Sequence, residues 1–405
     1  MAQNKIIPPE LLTRGVSEIV VRRQLEVKLR SGKKLRIKHG VDPTTDRLHI
    51  GYGVTYWKLR QFQDLGHTVV FLIGDFTGRF GDPTEKLTSR TLRDKATVAE
   101  ASAHYLDQIK GILDLTKTEV RYNSEWYDAM SAEELLRLMS NFSVAQMLER
   151  DMFAKRQLSG ARIGLHEPVY PVLQGYDSVK LASDVTVVGS DQLFNELAAR
   201  PLQTRAGQKP QDVMAMSLLL GTDGERKMSQ SYGNTINITD SPADQFGKVM
   251  RIPDRLIGHY FELATLISTK ELTKLQRALA DQELAPREAK LKLATAIVEL
   301  YHGPRAAQHA GEEFVRVFSR RSLPKDIPLT DLSQPAYRLD DLIVTLGFAA
   351  SRTAAQRLIT QGGVRIDEAV WSDWSVVVDV MEIRLVQASK RHFSRVSYRK
   401  KKSNR

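Results

Sequence analysis

The run Val69-Val70-Phe71-Leu72-Ile73 is wholly apolar, rich in β-branched residues and closed by Gly74. A strand without a polar face has to be covered on both sides, which is the condition of a parallel sheet clothed by helices. Its neighbours agree. Lys34 to Val41 reads as a strand ending at Asp42, Gly51 to Leu65 as a helix with Val54, Leu59 and Phe62 on roughly one face, and Arg90 to Leu115 as another helix. Glu119 to Asn123 and Asp184 to Gly189 read as further strands, the second followed by a helix from Gln192 to Arg200. Such alternation predicts an α/β parallel-sheet domain with helices on both faces.

At 405 residues the chain is too long for one ordinary core. The pattern changes at Ile238-Thr239-Asp240-Ser241-Pro242, where Ser241 can cap a helix and Pro242 occupy its first position. From Pro242 to Phe318 the chain reads as helices. Arg320 to Pro335 carries three prolines and little periodicity, as a linker would. Beyond it, Leu339, Leu342, Ile343 and Leu346 keep helical spacing up to Gly347, and Ser351 can cap a helix from Thr353 to Gln361. Val364 to Ile366 and Val376 to Val380 read as strands. Three domains are expected: residues 1–237 α/β, 238–325 α-helical and 336–405 a small α+β unit.

A hydrophobic share of 42% and a charged share of 26% suit a folded soluble chain. It has no apolar run of about 18 residues, so no membrane span is expected. Met1 to Lys5 lacks an apolar signal core, which points to a cytoplasmic location. The absence of cysteine excludes disulfides, thiol catalysis and thiolate metal sites. A net charge of +11 fits a polyanionic partner or simply a soluble surface. The acid-free stretch Lys390 to Arg405 leaves the same two readings open.

Two distant segments carry the phosphate chemistry. Asp42-Pro43-Thr44 leads into Leu48-His49-Ile50-Gly51-Tyr52, where a strand ends and a helix begins; backbone N–H groups and the helix dipole there favour an anion. The His49 imidazole can donate to a phosphate oxygen, Thr44 can add a hydroxyl, and Gly51 lets a ligand approach the backbone. Lys227-Met228-Ser229-Gln230-Ser231 is a polar loop with a cation, after a hairpin at Leu218 to Gly224. Together they could clamp the phosphates of ATP. Alone, His49 could be an ordinary capping histidine and Lys227 a surface lysine. Gly74 to Thr84 follows the buried strand with three glycines, and matches neither familiar phosphate-loop pattern. Asp82 suits an ammonium group, and Lys86 and Arg90 could reach phosphate. Tyr170, Gln174 and Asp177 share one helix face; a polar face of this kind commonly faces solvent, while Pro168, Pro171 and Leu173 beside them argue for a pocket.

Leu48-His49-Ile50-Gly51-Tyr52 resembles the H-I-G-H signature of class I aminoacyl-tRNA synthetases, and Lys227 to Ser231 resembles their K-M-S-K-S loop. Glu167 to Asp177 resembles the tyrosine-pocket helix of the bacterial tyrosyl enzymes, and Gly189-Ser190-Asp191-Gln192 their G-G-S/T-D-Q turn. Tyr337 to Val380 resembles their closing S-four-type RNA-binding domain. The resemblance implies a Rossmann-like catalytic domain that activates L-tyrosine with ATP, with Mg²⁺ as counter-ion, and charges tRNA(Tyr) as a homodimer. It places Thr44, His49, Lys86, Arg90 and Lys227 on the phosphates. Asp42, Gly51, Tyr52, Gly189, Asp191, Met228, Ser229 and Gln230 complete the ATP site. Asp82, Tyr170, Gln174 and Gln192 would hold the tyrosine backbone, with Asp177 on the phenol hydroxyl. Ser351, Arg352 and Arg357 would face RNA. No metal-binding side chains are implied.

The chain departs from that pattern in named places. Tyr52 replaces the second histidine, Gln230 the second loop lysine and Val188 the first glycine of the ribose turn. Lys38 stands where one branch has a tyrosine near the phenol. Asp367-Glu368 stands where Asn-Gly is common in hairpins, which predicts a looser turn. Two alternatives follow: a non-catalytic RNA-binding paralogue, and a class I enzyme for tryptophan, against which Asp177 argues because an indole has no hydroxyl.

Overall fold

A computed structural model describes residues 7–43, 47–83, 93–319, 327–389 and 392–399. The chain divides into two compact units, Met1–Gly311 and Glu312–Arg405.

In the first unit a six-stranded sheet is built from β1 (Val16–Val20), β2 (Arg36–Val41), β3 (Thr68–Ile73), β4 (Thr118–Tyr122), β5 (Val185–Gly189) and β6 (Asp212–Met216). Their order is β1-β6-β5-β2-β3-β4. All neighbours are parallel except β1 against β6. β3 is buried from Val69 to Ile73, as its all-apolar run requires. The chain steps outward from β2 through β3 to β4, then returns to β5 on the other side of β2. The switch point therefore lies between the carboxyl ends of β2 and β5, where open α/β sheets bind ligands.

Two strands of this sheet escaped the sequence reading. β1 is short. β6 reads Asp-Val-Met-Ala-Met, whose methionines and alanine prefer helices, and only its complete burial between β1 and β5 makes it a strand. The expected helix from Gln192 to Arg200 breaks into a short 3-10 turn, Ser190–Gln192, and helices Leu193–Leu197 and Ala199–Arg205.

Ser241 does cap a helix, Pro242–Met250, its hydroxyl accepting from the Asp244 N–H. That helix and those at Ile257–Ala264, Thr269–Ala280 and Pro286–His302 belong to the first unit. Arg14 joins them to the N-terminal segment by donating to the carbonyls of Glu262 at 3.0 Å and Thr265 at 2.8 Å.

The second unit packs helices Leu339–Thr345 and Arg352–Thr360 on a five-stranded sheet. Leu342, Ile343, Ala355, Ile359, Val364 and Val386 form its core. Its strands are β7 (Leu329–Leu332), β8 (Ala336–Arg338), β9 (Val364–Ile366), β10 (Ala369–Trp371), β11 (Val377–Asp379), β12 (Arg384–Ala388) and β13 (His392–Tyr398). β8 and β11 pair separately. β7 lies in the stretch expected to be linker. β13 lies in the basic run, and pairs with both β12 and β7, so that part of the run is folded sheet rather than solvated tail. The Asp367-Glu368 turn is a tight two-residue one, Ile366 pairing with Ala369, with both residues at positive φ. Asp367 anchors it by accepting from the Leu385 N–H at 2.8 Å.

Candidate active site

A cavity of about 620 Å³ opens at the switch point. His49, Tyr52, Asp82, Asp177, Asp191 and Lys227 all line it, together with most of the other expected site residues of the first unit. Thr44, Lys86 and Arg90 lie outside the described residues.

On the phosphate side, His49 is the N-cap of the helix Ile50–Asp64, and its side chain makes no capping hydrogen bond. The Ile50 N–H donates to the Ile236 carbonyl and the Ile238 N–H to that of Leu48, so this segment is braced by the chain just past the Lys227 loop. Burial, with Lys227 adding to it, lowers the His49 pKa to about 3. A neutral imidazole carries one N–H donor and one acceptor nitrogen. Its Nδ1 has no hydrogen-bond partner. Gly51 leaves room for the imidazole: a Cβ there would lie 2.8 Å from His49 Nδ1. The Tyr52 ring lies against His49, centroids 4.5 Å apart, and its hydroxyl is engaged by Tyr105. Burial pushes that phenol well above its ordinary pKa, so it stays protonated.

Lys227 reaches the same place from the other wall. Its Nζ is 2.6 Å from Asp191 Oδ2. The loop is pinned by the Ser229 N–H donating to Asn234 Oδ1 at 2.9 Å and the Met228 N–H to the Leu219 carbonyl. Gln230, in place of a lysine, donates to Asn237 Oδ1 at 2.7 Å and to the Arg47 carbonyl at 3.2 Å. It therefore ties the loop to the His49 segment. Gly189 permits the turn into Asp191, since a Cβ would lie 2.6 Å from that carboxylate.

The other side is closely cross-bonded. Tyr170 donates its hydroxyl to Asp42 Oδ2 at 2.8 Å, and Thr77 donates to Asp42 Oδ1 at 2.8 Å. Asp42, expected on ATP, thus spends its carboxylate orienting Tyr170, whose oxygen keeps lone pairs for an ammonium. Gln192 Nε2 donates to Asp82 Oδ2 at 2.7 Å, which places Asp82 and Gln192 together as expected. Asp177 is buried and accepts from Trp126 Nε1 at 3.0 Å and Asn123 Nδ2 at 3.4 Å. Burial raises its pKa to about 7 against the opposing pull of Lys38 and these hydrogen bonds. Gly175 lets the helix Tyr170–Lys180 meet the backbone of Ala198 and Ala199, since a Cβ would lie 2.9 Å from both.

Sequence reasoning missed Trp126, Asn123, Thr77 and Glu196. Asn123 was the expected end of a strand, and the carboxyl-edge rule pointed to its vicinity. Glu196, an acid in a short buried helix, gave no comparable signal. In the second unit, Ser351 caps its helix through the Ala354 N–H at 3.3 Å. Arg352 is ion-paired with Asp341, and Arg357 is exposed.

A sheet of this order, with the His49 helix start and the Lys227 loop lining one crevice, is the arrangement of a class I tRNA synthetase. The family described as tRNA synthetases class I (W and Y) matches residues 30–319, and the S4 domain matches 338–383. The chain is 45% identical over 390 residues to a tyrosine–tRNA ligase of Moorella thermoacetica, covering 95% of this chain and 94% of that protein. It is 42% identical to one of Thermotoga maritima, covering 96% of each. The chain belongs to the tyrosine–tRNA ligase family. A C-terminally truncated mitochondrial tyrosyl-tRNA synthetase of Aspergillus nidulans shares the fold, with a TM-score of 0.63 at 24% identity over 76% of this chain and 93% of that one.

Proposed function

We propose that the enzyme activates L-tyrosine with ATP and transfers it to tRNA(Tyr), using the cavity at the switch point. The observation that carries this reading is the meeting of His49 and Lys227 across one cavity whose far wall ends in Asp177. The tyrosine carboxylate attacks the α-phosphorus. A new O–P bond forms, the bond to the β,γ-phosphates breaks, and pyrophosphate departs. No protein nucleophile is needed. His49 donates a hydrogen bond to the β,γ-phosphates, and Lys227 supplies the charge that stabilises them as they leave. Thr44, Lys86 and Arg90 are assigned to the same task.

Asp191 must exchange its Lys227 partner for the ATP ribose, which frees the lysine for the phosphates. Asp82, Tyr170 and Gln174 take the ammonium and Gln192 the carboxylate. The phenol hydroxyl donates to Asp177, a contact that phenylalanine cannot make and that can reject it by about 10⁴–10⁵.

Among the described residues there is no cluster of acids and histidines able to hold a metal. Mg²⁺, which is commonly bound through substrate phosphates and water, is assigned to ATP rather than to a protein cage. RNA binding through Ser351, Arg352 and Arg357 is supported by the S4 match, and a homodimer by the exposed Leu136, Val144, Leu158 and Leu165, the last two 90% and 94% exposed. No helix among the described residues is long and apolar enough to cross a membrane, and we assign the enzyme to the cytoplasm.

Charging of tRNA(Tyr) with tyrosine, tryptophan and phenylalanine in parallel tests the reading. Tyrosyl-tRNA alone should form. RNA binding without adenylate would install the non-catalytic paralogue instead, and tryptophan charging the other class I specificity.

A further inference from the structure

We propose that the buried Lys38–Glu196 pair is a positioning element of the amino-acid pocket: through Gln174 and Asn195 it fixes which carboxamide atoms face the substrate ammonium. The inference rests on the tyrosine-pocket reading above.

Both side chains are 0% exposed. Lys38 Nζ lies 3.1 Å from each Glu196 oxygen, 2.7 Å from Ser178 Oγ and 3.3 Å from the Gln174 carbonyl. Glu196 also accepts from Gln174 Nε2 at 2.8 Å and from Gln211 Nε2 at 2.9 Å. A buried ion pair of this kind is weak support for stability, since apolar replacements often serve as well. Its position suggests another role.

A carboxylate only accepts hydrogen bonds. Glu196 therefore draws the amino group of Gln174 toward itself and turns the carbonyl oxygen away. That oxygen accepts from Asn195 Nδ2 at 2.9 Å. The same Asn195 nitrogen donates to Gln192 Oε1 at 3.0 Å, and Gln192 Nε2 donates to Asp82. The chain of carboxamides thus begins and ends on a carboxylate, and Asn195 must offer its amino group to two oxygens. Its own Oδ1 is left buried without a partner, the expected cost of that arrangement. Turning any one amide over would set donor against donor or oxygen against oxygen. Gln174 and Gln192 both line the cavity. Each presents an oxygen with a spare lone pair, and an ammonium has only donors. Glu196 makes Gln174 an acceptor, and Lys38 holds both Glu196 oxygens in place in the core.

The test compares two ligands that differ at one group: L-tyrosine, and 3-(4-hydroxyphenyl)propionate, which lacks the ammonium. Calorimetry at pH 8.5, above the Asp177 titration that Lys38 also influences, measures both on the full chain and on the double variant Lys38→Met, Glu196→Leu, which removes both charges of the pair together. Affinity for L-tyrosine should fall about tenfold to a hundredfold, while that for the analogue holds within about twofold. If the double variant does not fold, Glu196→Gln is read with the same two ligands and the same expectation. Parallel losses for both ligands, or no loss for either, would overturn the proposal. Asp82→Asn is measured alongside. An ammonium-specific loss there supports the pocket itself; its absence would show that the pocket reading, and with it this inference, has failed.

Discussion

The two ends of the crevice are built differently. At the amino-acid end, Asp42, Asp82, Tyr170, Gln174 and Gln192 are held by one another or by Thr77, Asn195 and Glu196, so the acceptors stand ready before tyrosine arrives. At the phosphate end, His49 keeps an unpartnered ring nitrogen, and Lys227 rests on Asp191, the acid we propose for the ATP ribose. On the proposed assignments selectivity is preformed, whereas the machinery for the departing pyrophosphate is completed only when ATP binds. A site that discriminates by hydrogen bonding gains from rigidity. A site that follows charge through a reaction must release its ground-state partners first.

Several experiments bear on that contrast. Asp177→Asn should reduce discrimination against phenylalanine about a hundredfold, through loss of a charge-assisted contact at the rigid end. Relative charging rates for the two amino acids measure it, and unchanged discrimination would remove Asp177 from the phenol. Gly51→Ala sets a methyl against the His49 ring. The rate of adenylate formation should fall on the order of tenfold by misplacing the imidazole, although alanine favours a helix. Slow activation with an undiminished melting temperature would separate the two effects.

Tyrosine affinity should also depend on pH. The Asp177 pKa is raised to about 7, so its carboxyl gains a proton as pH falls through neutrality. The ionised form is the stronger acceptor for the phenol hydroxyl, and affinity should weaken as pH falls below that point, by less than about tenfold per pH unit. In Asp177→Asn this slope should vanish. His49, lowered to about 3, should add no step between pH 5 and 9. The smallest effect is expected for Gln230→Lys, which adds a charge at the phosphate end. Pyrophosphate exchange should rise a few-fold, by less than about tenfold. A fall would mean that the Gln230 bridge to Asn237 and Arg47 matters more than the charge.

Legibility in the sequence followed the same divide. Strands β2, β3, β4 and β5 showed themselves because apolar, β-rich runs alternate with helical periodicity. The His49 and Lys227 segments showed themselves because their chemistry is concentrated in a few adjacent residues. β6 stayed hidden because burial overrode the helical preference of its methionines. Glu196 and Trp126 stayed hidden because their partners, Lys38 and Asp177, lie 158 and 51 positions away, and no local pattern reports such a contact. Asp42 was placed with ATP by its neighbours in the chain, yet its carboxylate is taken by Tyr170, 128 positions on.

Tyrosine-dependent ATP–pyrophosphate exchange, measured for the wild-type chain and for Lys227→Ala, tests the central claim most directly. Convergence of the loop and His49 on one triphosphate predicts a fall in exchange of roughly 10²–10³ with tyrosine affinity in the absence of ATP unchanged. Exchange at the wild-type rate without the Lys227 charge would contradict it.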